Sequence, residues 1–145
     1  MNSTKSQNRR GLMRTPMIVL TLGAIIAATT WADSKGAEQR LRTSLSGGAI
    51  SSMVPSGHAD FRSEAARNRS RLNVEVENVN LANGAVLSVF VSHAGASVKI
   101  GEIQIQAGFG ELELNSQDGA TVPAIVKGDI VTVNNSGGAI LTGVF

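Results

Sequence analysis

Cysteine and tyrosine are absent from this 145-residue chain, and tryptophan occurs once, at Trp31. Without cysteine there is no disulfide, no thiolate metal site, no lipid-modified cysteine and no thiol nucleophile. Beyond residue 32 neither Trp nor Tyr occurs, so four Phe are the only rings on which bases could stack, and nucleic acid is not an expected partner. Histidine is scarce as well. His58 and His93 lie in different segments, and neither has a His or Cys at ligand spacing. A zinc or copper site wants three or four such ligands, so the expectation is no metal and no cofactor. The serines form no Gly-x-Ser-x-Gly elbow. A triad of Ser92, His93 and Asp118 can be drawn, but nothing in the spacing favours it.

Acidic residues are missing from positions 1–32, whereas Lys5, Arg9, Arg10 and Arg14 make that segment basic. The uncharged run Met17 to Ala28 is about 12–15 residues with its flanks, short of the roughly 20 that span a bilayer as a helix. Thr30-Trp31-Ala32 then places small residues at the −3 and −1 positions of a cleavage site. This order predicts a cleavable export signal, helical before removal, over residues 1–32, and a periplasmic or extracellular destination. Contact with a membrane is then confined to the signal before cleavage. Asn8-Arg9-Arg10-Gly11-Leu12-Met13-Arg14 resembles a twin-arginine signal, and the general and twin-arginine routes both stay open.

Removing the signal inverts the charge. Four of the 13 basic residues and none of the 11 acidic ones lie in 1–32, so the remainder carries nine against eleven, net −2. The basic balance of the whole chain therefore belongs to the signal and does not argue for nucleic acid. Residues 33–145 suffice for one domain with a self-sufficient core.

Within that part, residues 33–44 read as a polar leader, disordered or briefly helical, and residues 45–145 as a single β-domain. Apolar residues recur at every second position there, interrupted by Gly, Asn, Asp and Pro. The clearest strand is Arg67 to Val76, with Leu72, Val74 and Val76 facing a core and Arg67, Arg69, Arg71, Asn73, Glu75 and Glu77 facing water. Val79 and Leu81 change parity, which predicts a bulge near Asn78. Asn83-Gly84 predicts a tight hairpin before Leu87, Val89 and Val91. Further strands are expected at Ala49–Ile50, His58–Arg62, Val98 to Ile105 (with a parity change near Gly101), Leu112–Leu114, from Val122-Pro123, over Ile130–Val133 and over Ala139–Phe145. The expected fold is all-β: an antiparallel sandwich or Greek-key barrel of about eight or nine strands. Ser-Gly-Gly-Ala-Ile occurs at 46–50 and again at 136–140, read as two similar strand entries.

The strongest local charge feature is the run Arg62-Ser63-Glu64-Ala65-Ala66-Arg67-Asn68-Arg69-Ser70-Arg71. Arg67, Arg69 and Arg71 are the candidate patch for an anionic ligand, such as an acidic envelope polymer. The alternative is a solvated hairpin whose arginines pair with acidic residues on a neighbouring strand. Glu75/Glu77 and Glu111/Glu113 stand at i, i+2, as an acid/base pair would, but solvated strand faces give the same pattern.

Leu45-Ser46-Gly47, then Pro55-Ser56-Gly57-His58-Ala59-Asp60-Phe61, then the Leu72–Val76 strand and Asn80-Leu81-Ala82-Asn83-Gly84 resemble the opening half of chordin-type (CHRD) domains and, more remotely, of copper–zinc superoxide dismutases. The likeness covers under half of residues 33–145. Those enzymes carry a His-x-His pair on the next strand, where this chain reads Val86-Leu87-Ser88-Val89-Phe90-Val91. The resemblance thus implies the fold without the metal centre. The remainder resembles small exported bacterial proteins. The functional expectation is a non-catalytic envelope or extracellular module that binds an anionic polymer or a protein partner, with no catalytic residues. The alternatives are a degenerate dismutase-like or hydrolytic enzyme, and a surface protein that self-assembles through the strand Ile140–Phe145.

Overall fold

The computed structural model describes residues 37–145. The expected export signal and the start of the polar leader lie outside the described residues. Eight strands follow in order: β1 (Glu38–Ser46), β2 (Ser56–Glu64), β3 (Arg69–Glu77), β4 (Val86–His93), β5 (Ala96–Gln104), β6 (Gly110–Asn115), β7 (Ile130–Asn135) and β8 (Gly138–Val144). One-turn 3-10 helices stand at Ala65–Arg67 and Ser116–Asp118. The strands form one antiparallel sheet in the order β5-β4-β7-β8-β1-β2-β3-β6. The sheet curls into a nearly closed barrel, so the all-β reading holds. Its two edges, β5 and β6, approach one another where Gly101 lies against Leu112. A Cβ on Gly101 would sit 2.7 Å from a Leu112 methyl.

Alternation decides what faces inward. Leu72, Val74 and Val76 are fully buried, as are Leu87 and Val89, with Val91 nearly so. Ile103, Ile105, Val131, Val133 and Leu141 complete the same cluster. Each such side chain contributes about 1.5–3 kcal/mol when removed from water, which is how a domain without disulfides is held. On β4 and β5 the register shifts between Val89 and Phe90, leaving Ile100 as an extra residue beside Gly101. That bulge is the parity change expected there.

Several local expectations are corrected. Residues 38–44, within the expected polar leader, are strand. Leu41, Thr43 and Leu45 alternate toward the core while Glu38, Arg40, Arg42 and Ser44 face water. The pairing that orders them is a nine-residue ladder with β2. Ala49–Ile50 is not a strand: Ile50 only bridges Met53 across a tight turn. Arg67 belongs to the 3-10 turn, and β3 begins at Arg69. The parity change near Asn78 is made by its left-handed backbone (φ 55°) after the strand has ended, not by a bulge.

Asn83-Gly84 is no hairpin, because β3 has β6 as its second neighbour and β4 lies elsewhere in the sheet. The pair instead ties the connection to the β5–β6 turn. Asn83 Oδ1 accepts from the Ala107 N–H at 2.7 Å, and the Gly84 N–H donates to the Ile105 carbonyl at 2.7 Å. The stretch from Val122-Pro123 to Val126 is irregular and buries Ile125. Finally, the two Ser-Gly-Gly-Ala-Ile phrases are not alike. The first ends β1, and the second turns the β7–β8 hairpin, where Asn135 pairs with Gly138. They do meet: a Cβ on Gly47 would fall on the Ile140 carbonyl oxygen.

Candidate functional site

Side chains directly opposite one another on neighbouring strands point to the same side of a sheet. Applied to the register of β1, β2, β3 and β6, this builds the outer face row by row. One row reads Arg40–Arg62–Arg71, three arginines in direct register across three strands. The next reads Arg42–Asp60–Asn73–Glu113, and the one after it Ser44–His58–Glu75–Glu111. On the other side of the arginines lies Glu38–Glu64–Arg69. The face is polarised along the strands, with arginines gathered at one end and Glu75, Glu77 and Glu111 at the other. The outer face of β4, β7 and β8 is different in kind. Ser88, Phe90, Thr132, Asn134 and Thr142 cover it without a charge.

Like charges placed directly opposite destabilise a sheet, by roughly 0.2–1 kcal/mol per pair. Two such pairs, Arg40 against Arg62 and Arg62 against Arg71, stand in one row here. Carboxylates hold the guanidiniums in place. Arg62 forks onto Glu38, with Nε 2.9 Å and Nη2 3.1 Å from its two oxygens, and Nη2 also lies 3.0 Å from Glu64 Oε1. Arg71 Nε lies 3.5 Å from Glu113, and Arg42 Nε 3.7 Å from Asp60. Between these side chains is an open depression of about 550 Å³, lined chiefly by Arg40, Arg42, Asp60, Arg62, Arg71 and Asn73.

The structure separates the three arginines singled out in the sequence. Arg67 turns back from the 3-10 helix onto the nearly buried Glu64 at 2.9 Å, where it fastens the β2–β3 connection. Arg69 stands opposite Glu64 at the end of the ladder. Only Arg71 joins the in-register row, and there it meets Arg62, from the same charged run, and Arg40. Arg40 was hidden in the supposed leader. The signal that marks it is the Leu41-Thr43-Leu45 alternation, which places Arg40 and Arg42 on the opposite face.

The two histidines stand apart in role. His58 faces outward on β2, with Nε2 3.4 Å from Asp60 and 3.7 Å from Glu75. His93 ends β4, and its Nδ1 lies 2.6 Å from Asp129 Oδ1. Among the described residues there is no gathering of three or more His, Asp or Glu that would hold a metal ion. The Ser92–His93–Asp118 arrangement is not assembled: the carboxylate beside His93 is Asp129, and Asp118 accepts from Asn115 Nδ2 at 2.9 Å. Burial alone would push the Asp129 carboxyl up. The Val126 N–H, the His93 hydrogen bond and the His93 charge outweigh that and hold it below its ordinary value. Sequence reasoning missed Asp129 because an acidic residue after Lys127-Gly128 looks like any turn residue.

No family model, curated protein or solved structure matches the chain.

Proposed function

We propose that this is an exported, non-catalytic binding module that grips an anionic partner with the outer face of β1, β2 and β3. One observation carries the reading: Arg40, Arg62 and Arg71 stand in direct register across three strands. Such a row works against the stability of the sheet and offers a line of donors about 4.8 Å apart. The carboxylates beside it hold the guanidiniums in place before a ligand arrives, which lowers the ordering cost of binding. Export rests on the basic, apolar and small-residue order of residues 1–32.

The test is calorimetric titration of the processed protein with two linear polyanions, polygalacturonate and inorganic polyphosphate, at several salt concentrations. Binding should weaken as salt rises. Replacing Arg40, Arg62 and Arg71 together by alanine should cost at least about tenfold in affinity, equivalent to some 1.4 kcal/mol. Circular dichroism confirms that the triple variant is folded. Failure to bind both polymers, or unchanged affinity in the folded triple variant, refutes the reading.

A further inference from the structure

The neighbour of the arginine row is mixed in chemistry. Two residues along the strands, Arg42, Asp60, Asn73 and Glu113 stand in register, with Arg42 at the β1 end 3.7 Å from Asp60 and three acceptor-bearing side chains beyond it. Asp60 and Glu113 offer carboxyl oxygens as acceptors. Asn73 shares the floor of the depression, and its Oδ1 is shut away from solvent with no hydrogen-bond partner. A buried carbonyl oxygen without a donor is a cost that folded proteins rarely leave standing. The torsion carrying it is broad and roughly two-fold, and its rotation is the movement that would present this oxygen to a ligand in the depression.

From this pairing of rows we propose that the anionic partner is an acidic sugar chain. This rests on the reading of the arginine row as an anion site and deepens it. The two rows are about 6.8 Å apart, twice the rise per residue of a strand, which is about the width of one sugar ring. A uronate ring carries a carboxylate on one side and hydroxyl donors on the other. The carboxylate meets the guanidiniums, and the hydroxyls donate to Asp60, Glu113 and the turned Asn73 Oδ1. A chain of phosphates alone has no donor to offer Asp60, Asn73 or Glu113. A bilayer or a nucleic-acid duplex presents a broad anionic surface that would press on that row and on Glu38 and Glu64 as well.

The experiment compares polygalacturonate with inorganic polyphosphate on the full processed protein, on Asn73→Ala and on Asn134→Ala. Asn134 is the control: its Oδ1 is also buried without a partner, but on the uncharged face. The wild type should prefer the polyuronate. Asn73→Ala should lose about five- to tenfold affinity for it, the worth of one hydrogen bond to a charged or polar ligand, while polyphosphate binding stays within about twofold. Thermal stability of Asn73→Ala should be equal or higher, because the substitution removes an unpartnered group. A merely structural Asn73 would instead lower the melting temperature. Asn134→Ala should bind as the wild type does. Equal binding of both polymers with no effect of Asn73→Ala overturns the sugar proposal while leaving the anion site standing. Loss of binding to neither polymer in the arginine triple variant, or no binding at all, removes both.

Discussion

Replacing Asp129 by alanine should unfasten one end of the barrel. Its side chain is 3 % exposed and takes hydrogen bonds from the Val126 N–H at 2.9 Å and from His93 at 2.6 Å. Its main-chain carbonyl receives the Phe145 N–H at 2.9 Å, and the Gly128 N–H donates to the Phe145 carbonyl at 2.7 Å. The carboxylate therefore supports the turn against which the end of β8 is pinned. Losing a hydrogen bond between a buried amide and a charge costs about 1.5–3 kcal/mol. The His93 partner is mostly exposed, so its share is discounted to about 0–1 kcal/mol. The expected total is about 1.5–4 kcal/mol, or a fall of roughly 6–16 °C in melting temperature at pH 7. The acid response follows from the lowered carboxyl. An unfolded chain takes up this proton near the ordinary value of 3.8, the folded chain only at lower pH. The stabilisation is thus complete above that value and disappears as pH falls through the lower, folded one. Urea melts from pH 7 to pH 2 should show a steeper acid loss in the wild type than in Asp129→Asn. The reasoning fails if Asp129→Ala stays within about 0.5 kcal/mol of wild type, or if the two acid limbs superimpose.

Leu72→Ala, at a fully buried position on a central strand, should cost about 2–5 kcal/mol in a urea melt. Gly57→Ala places a Cβ 2.2 Å from the Glu75 carbonyl oxygen and forces β2 and β3 apart, at about 1–3 kcal/mol or more. Gly48→Ala meets nothing within 4 Å and should melt like the wild type. Intact mass spectrometry of the exported product should find Asp33 at its N-terminus, and a product that begins at Met1 would contradict cleavage.

Period-two burial was legible wherever strands carried three strong apolar residues in alternation, as at Leu72-Val74-Val76 and Leu87-Val89-Val91. It failed at β1, where one of the three inward residues is Thr43 and charges stand between them. Turn residues were legible as turns but not as connections. Asn83-Gly84 has hairpin chemistry, yet it serves a crossing between strands that are not neighbours, and a local signal carries no information about strand order. The candidate site was the least readable part. Arg40, Arg62 and Arg71 become one row only through two ladders whose registers are set by the core on the opposite face. The run of arginines in the sequence mixed two members of that row, Arg62 and Arg71, with Arg67, which is spent on fastening a turn.

Strand β1 meets β8 only near Ser46 and Thr142, at opposite ends of the described chain. During synthesis the second of these residues trails the first by about 5–20 s at ordinary elongation speeds. Until then β1 has β2 alone, and the cylinder has no way to round up on itself. Hairpins such as β2–β3 can form early, but the closing step is non-local and slow. Rounding of the sheet therefore waits on the arrival of β8, not on the pace of its turns.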